Sequence, residues 1–551
     1  MKRMKPSRRI RRLVAWAVAA VPAMISCEAA AFDYEFHGFL ESNVIVRDES
    51  GFQDGFLDDL AVIQQRNTLK FDIDGYLGYK LGDFSLDKAH LTFRGAYDTI
   101  FNIRYDEYKN IRKESPSRFD YGLYDIEYEY DLREATVDFV YQGEGGTGFL
   151  RLGRQLVSWG ETAGLTITDN INPPDNSFQM FFLNPDDLKI PLWMGRVNYS
   201  PPPVGFIRPT FEFLAIPDIR PQQWSVLDGD FEAPYIAIHP FREFFGPPSL
   251  FLRELGLGNL VDQGLTIPVL FDTLGIDIRE DVPTNDTEWG GRATFNIGNN
   301  LSVSGSYFEG ISDLPGFAFA DFQNFELIPA LGITVPFPVP TKVKLVHPWT
   351  RTYGGSFNWF IPPPFDLILK GEFGRTEDVP IFLPVTGLEA TLGPPYVPSG
   401  PPMEDWTIRG YTLKPVQMWM LGIDKDIWMR WFSASQVNVG IQWIHKQICD
   451  WEDKLEDSHL TKRNTDYFSL LVNWYWWHGR INPMIFALVD TQMDAMVQAN
   501  VGWTITEHWY AKASMQSFWG KEDWQTNDTQ SEFAPFVSTA GEVTTKIGFQ
   551  W

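Results

Sequence analysis

The chain has 551 residues, 44% hydrophobic and 15% aromatic, with two cysteines and a net charge of −25 from 46 basic and 71 acidic side chains. Two cysteines exclude a disulfide scaffold, and 43 Phe, 20 Tyr and 21 Trp supply too much apolar surface for a disordered chain. The acidic balance excludes nucleic acid as a partner, because phosphate recognition needs a basic surface.

Residues 1–31 read as a cleaved secretory signal peptide. Lys2, Arg3, Lys5, Arg8, Arg9, Arg11 and Arg12 form a cationic start, Leu13 to Ile25 a short apolar stretch, and Ala29-Ala30-Ala31 a cleavage site before Phe32. Arg8-Arg9 lacks the rest of a twin-arginine context, and Met24-Ile25-Ser26-Cys27 is a poor lipoprotein box. Cleavage removes seven of the 46 bases and one of the 71 acids, which moves the net charge from −25 to −31. Cys27 leaves too, so Cys449 has no partner for a disulfide.

Residues 32–551 contain no apolar run of about eighteen, so no transmembrane helix is expected. They alternate instead. Leu69, Phe71 and Ile73 oppose Lys70, Asp72 and Asp74. From His90 to Tyr105 an apolar parity (Leu91, Phe93, Tyr97, Phe101, Ile103) opposes a largely polar one that includes Arg94, Asp98 and Arg104. Tyr124, Ile126, Tyr128, Tyr130 and Leu132 alternate with Asp125, Glu127, Glu129 and Asp131. Period two, held for about ten residues and repeated, is the pattern of a transmembrane β-barrel. A soluble sandwich also alternates, but its apolar face is rich in Val, Ile and Leu, whereas this one is heavy in Tyr, Phe and Trp, which suit membrane interfaces.

Gly143-Glu144-Gly145-Gly146-Thr147-Gly148 fits a dinucleotide-binding pattern, but it lies between the strand-like runs Thr136 to Tyr141 and Phe149 to Leu156 with no helix after it, so it reads as a hairpin turn. The next segment is the most distinctive: Leu152-Gly153-Arg154-Gln155-Leu156-Val157-Ser158-Trp159-Gly160-Glu161, then Asp169-Asn170-Ile171-Asn172-Pro173-Pro174-Asp175, then Leu188-Lys189-Ile190-Pro191-Leu192-Trp193-Met194. In a lumen, Arg154 and Glu161 with Glu127, Glu129 and Asp131 would build a charged ladder that narrows the pore, or a network that satisfies buried charge. Asn172-Pro173-Pro174-Asp175 is expected to form a proline turn rather than an inward constriction.

Of 38 prolines, 28 fall between Pro201 and Pro402, which predicts long loops there and leaves room for a partial plug. Ser249 to Leu257 reads as a short loop helix, started by Pro247-Pro248 and stopped near Gly256 and Gly258. Trp289 to Phe295 and Leu301 to Tyr307 flank Gly298-Asn299-Asn300 as a hairpin. The last third holds 14 of the 21 Trp, which an interfacial belt explains. There, Val437 to Trp443 and Val497 to Ile505 alternate, and adjacent Trp476 and Trp477 are expected on opposite faces of a strand. Asp450 to Asp457 and Glu522 to Glu532 read as solvated external loops. Val543, Thr545, Ile547, Phe549 and Trp551 share one parity. This terminal aromatic strand resembles that of bacterial outer-membrane barrels, in which the barrel assembly machinery reads it.

The expected architecture is therefore all-β: a transmembrane antiparallel barrel of about 16 strands, with 14 to 18 open, carrying proline-rich loops and short loop helices. No H-E-x-x-H, no G-x-S-x-G and no thiol cluster occurs. The chain is expected to have no catalytic, cofactor or metal site.

The Gly153, Arg154, Gln155, Trp159, Gly160 and Glu161 strand, with Asn172, Pro173 and Asp175 in the loop and Lys189 after it, resembles the proteobacterial outer-membrane barrel family catalogued as domain of unknown function thirteen-oh-two. Pro174 and the interval before Lys189 depart from the family pattern. The resemblance implies a porin-like protein and, through genomic association, a link to RND-type export systems and to hydrophobic compounds. Three functions follow as expectations: passive passage of small hydrophobic or amphipathic solutes, a general cation-preferring porin suggested by the charge, or a non-transport barrel acting as partner platform, adhesin or enzyme. The expected partners are outer-membrane lipid, lipopolysaccharide, the assembly machinery, a small-molecule cargo and an export complex.

Overall fold

The computed structural model describes residues 33–48, 60–104, 127–162, 165–176, 188–224, 277–283, 285–323, 326–328, 333–334, 339–383, 389–392, 403–433, 435–452, 455, 462–491, 495–519 and 541–551. Eighteen strands form one closed sheet, at the upper end of the expected range. They begin with β1 (Asp33–Asp48), β2 (Leu60–Leu81), β3 (Phe84–Asp98), β4 (Tyr128–Gly143) and β5 (Gly146–Gln155). Each strand pairs antiparallel with its neighbours along the chain, and β1 closes the ring against Glu542–Gln550, in register from Phe39 opposite Gln550 to Arg47 opposite Glu542. Trp551 completes the seam: its N–H donates to the Gly38 carbonyl (3.1 Å), and Gly38 donates back (3.3 Å). Closure satisfies every edge, which a lipid environment demands. No described helix is long and apolar enough to cross a membrane.

Alternation sets the two faces. Leu40, Leu69, Leu91, Leu132, Phe213, Phe373, Ile441, Phe468 and Ile547 are exposed on the outside, while Arg94, Asp131, Glu372, Ile444 and Thr544, of the opposite parity, are buried within. Short turns such as 82–83, 144–145 and 298–300 lie at one end, with residues 33 and 551. The strand ends that flank residues 99–127, 217–287 and 312–348 lie at the other. In outer-membrane barrels the short turns are periplasmic and the long loops external.

Both sequence-predicted hairpins are present, at 143–146 and between Glu288–Ile297 and Leu301–Ile311. Several local expectations are corrected. The strand expected to run to Tyr105 ends at Asp98, because Asp98 Oδ1 accepts the amides of Gln65 (2.9 Å) and Ile100 (3.1 Å) and turns the chain into the helical turn Ile100–Ile103. Arg104 therefore leaves the strand. It caps that turn and donates to the Val62 carbonyl (3.1 Å). Trp476 and Trp477 lie in the turn between Asn464–Asn473 and Ile481–Asp490, with left-handed Trp477 (φ 48°) and His478 (φ 58°) making the reversal. The proline-rich third supplies five barrel strands and most of a separate five-stranded sheet, ordered Asp277–Asp281, Val339–Val346, Gly316–Gln323, Met403–Arg409, Glu389–Leu392. The expected helix at 249–257, residues 105–126 and the acidic loop 522–532 lie outside the described residues.

Candidate functional site

The lumen is lined by unlike stretches of wall, each traceable to its strands. On β2 to β5 the wall is charged. Arg66 and Arg94 both grip Glu129, the second through Nε at 2.7 Å. Arg154 Nη1 lies 2.5 Å from Asp131 Oδ1, and Arg133 Nη1 is 3.7 Å from the other oxygen of Asp131. Tyr97 donates to Glu127 (3.3 Å), and Arg151 makes a two-pronged pair with Asp138, 2.7 Å on each prong. Of the sequence-predicted ladder, Glu129 pairs with Arg94 and Asp131 with Arg154, joined by Arg66 and Arg133, which sequence reasoning missed, while Glu127 meets Tyr97 and Glu161 is not among these pairs. Opposite charges meet on the same wall, so the network neutralises itself. Arg154→Ala would leave Asp131 without its closest cation, and about 3 kcal/mol of stability should go with it. The loss should appear as a lower temperature for disappearance of the heat-modifiable folded band on gels.

Arg154 points inward because of Gly153. At φ +137° Gly153 lies in a region open to glycine, and a Cβ there would fall on the Ala135 carbonyl oxygen. The irregularity ends the alternation of β5, so that Arg154 and Gln155 are both buried, and the chain leaves the wall after Gln155.

It turns into the barrel. Val157, Trp159, Ile171 and Ile190 form a buried cluster with Leu192, Met194, Leu214, Ile216 and Phe308 of the wall. Asn172 brackets the excursion: its Oδ1 accepts Val157 N–H (2.8 Å), and its Nδ2 donates to the carbonyls of Ile190 (2.9 Å) and Gln155 (3.3 Å). Asn172 to Asp175 is therefore part of an inward-folded segment rather than a surface turn. Pro173 and Pro174 offer carbonyls to Ile190 and Gln223, contacts that need no N–H from proline. Asp169 accepts from Ser158 (2.7 Å) and Trp159 N–H (3.2 Å) and pairs with Lys189.

The far end of this segment is held by one side chain. Glu372, on the Leu367–Phe382 strand and 3% exposed, accepts five hydrogen bonds: the N–H of Glu161 (2.8 Å), Thr162 (2.9 Å) and Thr168 (3.0 Å), and the hydroxyls of both threonines (2.6 Å each). Glu161 contributes its backbone here, not its carboxylate. Beside it, Gly374 leaves a notch: a Cβ there would come within 2.8 Å of Ile167 Cγ2. The segment thus lies along the inner wall from β5 to the Leu367–Phe382 strand.

Beyond it the wall is apolar. Ile167 joins a buried cluster of Met420, Ile444, Tyr467, Phe486, Leu488 and Met496, with Leu165, Met418 and Leu471 packed against it. These side chains come from five consecutive strands between Tyr411 and Thr504. Near the external mouth, Asp313 follows the Leu301–Ile311 strand. Desolvation pushes its carboxyl up to about 7, against the lowering influence of His347 and Lys189. A carboxyl held above its ordinary value of 3.8 costs stability progressively as pH rises toward about 7. Among the described residues no cluster of His, Cys, Asp or Glu could hold a metal.

Solved barrels that match include OccAB3 of Acinetobacter baumannii (9% identity, 94% of this chain and 99% of that one, TM-score 0.42) and OccAB1 of the same organism (8%, 94% and 96%, 0.45). OccK8 (OprE) of Pseudomonas aeruginosa also matches (7%, 94% and 98%, 0.40). No curated protein matches the sequence. The family model described as "Protein of unknown function (DUF1302)" matches residues 62–540, and the chain, a closed antiparallel barrel with the segment after Gln155 folded inward, belongs to that family.

Proposed function

We propose that the protein is a passive channel of the outer membrane, delivered there by a cleaved signal peptide, for small solutes with an apolar body. The observation that carries this reading is the apolar cluster around Met420 and Ile444 on the inner wall, which Ile167 of the inward segment packs against and buries, so that a solute reaches this wall where the segment yields. Barrel lumens that carry only water and ions are polar on their inner face. Here five strands place apolar side chains on the inside as well as the outside. A solute methylene transferred from water to such a surface gains about 0.8 kcal/mol, so three of them are worth roughly a fiftyfold gain in occupancy. The self-neutralised Arg–carboxylate wall adds no strong net field to oppose entry of an uncharged molecule.

Flux into liposomes tests the reading. An amphipathic solute should enter faster than a sugar of equal size. Met420→Asp should remove that advantage, because it puts an unpaired carboxylate into the apolar wall, while leaving small-ion conductance within about twofold. Equal rates for both solutes in the unaltered protein would sink the proposal.

A further inference from the structure

Four neighbouring strands, Leu367–Phe382, Tyr411–Ile427, Val437–Ile448 and Asn464–Asn473, carry polar side chains on their lipid-facing side near the long-loop end. The register places them in rows. Phe373, Trp419, His445 and Asp466 stand opposite one another across the four strands; one step outward, Arg375, Gln417, Gln447 and Asn464 do the same. Their parity is that of Leu421, Ile441 and Phe468, which are 48%, 56% and 50% exposed, so both rows face the membrane and not the lumen. On the next two strands the outward residues toward that end include Val489 and Val497, so the polar patch is local.

Its internal contacts are organised. Asp466 Oδ1 accepts from Trp443 Nε1 (2.9 Å) and lies 2.7 Å from His445 Nδ1. A carboxylate that only accepts makes Nδ1 the donor and turns Nε2 away from it. Trp419 stacks on the imidazole, centroids 4.4 Å apart at 24°, and fixes the ring. In the row above, Arg375 uses Nε for Glu377 (2.6 Å), and its side chain is 35% exposed. A fixed imidazole, a guanidinium, their carboxylate partners Asp466 and Glu377, and three side-chain amides therefore line one band, directly above the apolar wall that meets hydrocarbon. A charged or amide side chain on a lipid-facing strand is costly unless it meets a polar headgroup.

We infer that this band is a binding site for the phosphorylated saccharide headgroup of an outer-leaflet glycolipid, with Arg375 taking phosphate and His445 Nε2, Gln417, Gln447 and Asn464 taking sugar hydroxyls. Phosphate matches the guanidinium. Side-chain amides both donate and accept, which matches hydroxyls rather than a second anion. The external end of the barrel supplies the leaflet. The site is on the outer surface and is independent of what crosses the lumen.

The test is native mass spectrometry of the folded, detergent-solubilised full chain titrated with bis-phosphorylated lipid A, dephosphorylated lipid A and phosphatidylglycerol. The bis-phosphorylated form should bind at least tenfold more tightly than either of the others. The double variant Arg375→Gln, His445→Gln should lose most of that preference. Its heat-modifiable band and single-channel conductance should stay unchanged, which separates loss of the site from loss of the barrel. A single variant, Gln447→Leu, should weaken binding by a smaller factor. Equal binding of phosphatidylglycerol or of dephosphorylated lipid A by the unaltered protein, or undiminished preference in a folded double variant, overturns the assignment.

Discussion

Glu372→Ala is expected to raise the single-channel conductance of the reconstituted protein severalfold and to broaden its current levels. The carboxylate gathers three backbone amides and two hydroxyls from residues 161, 162 and 168, more than two hundred positions away in sequence. Hydrogen bonds to a charged acceptor are worth about 1.5–3 kcal/mol net each in isolation. Five on one side chain share its two oxygens and cannot add in full. A total near 4 kcal/mol is enough to change which conformation of the segment prevails. The apolar cluster around Trp159 and Ile171 would still hold the base of the excursion, so the tip from Glu161 to Thr168 should swing free while the root stays in place. Glu372→Gln should recover only part of the effect, since its amide nitrogen would face donors where an acceptor is needed. Unchanged conductance in a folded Glu372→Ala protein would mean that packing, and not this carboxylate, holds the tip.

Gly153→Ala should cost about 3 kcal/mol or more and should remove most of the folded, heat-modifiable barrel, because backbone strain adds to a hard clash. The φ of +137° disfavours any side chain, and the new Cβ would overlap the Ala135 carbonyl on the paired strand β4. Relief would require the β4–β5 ladder to slip, which would also pull Arg154 off Asp131. The neighbouring strand provides the control. Gly195→Ala meets Leu152 Cδ2 at 3.4 Å, an ordinary contact, and should fold like the parent. The two substitutions have the same chemistry and differ in backbone conformation and in the Ala135 clash, so comparing their folded yields reads the combined cost of both.

Much of the barrel was legible in the residues. Period-two alternation with aromatic outer faces marked strands and membrane together, and the terminal aromatic strand closes the ring against β1. The Gly153-to-Glu161 segment stood out by composition, and the structure gives its residues work: a glycine that bends the strand, an arginine that pairs across it, and a tryptophan buried under the inward turn. Glu372 was hidden, because one acid on the polar face of a strand resembles many others until a segment two hundred residues upstream folds onto it. The apolar inner wall left a fainter sign. From Val416 to Ile423 only Gln417 and Gly422 interrupt an apolar run, which breaks the alternation expected of a polar lumen. Asn172 to Asp175 was misread because proline beside Asn and Asp is ordinary turn chemistry, while its burial depends on long-range packing against Leu192 and Leu214. Trp476 and Trp477 were misread because Trp-His is an unusual occupant of a left-handed reversal, where Asn-Gly would have announced the turn.

The central claim is that an inward segment held on Glu372 narrows a passive channel whose remaining wall favours apolar solute. Single-channel recording of the unaltered protein in planar bilayers tests it most directly, with an amphipathic solute and then an equal-sized sugar added to the external side. The account predicts small, ohmic, discrete steps that the amphipathic solute interrupts at concentrations where the sugar does not. Large steps insensitive to both, or no conductance with or without solute, would contradict it.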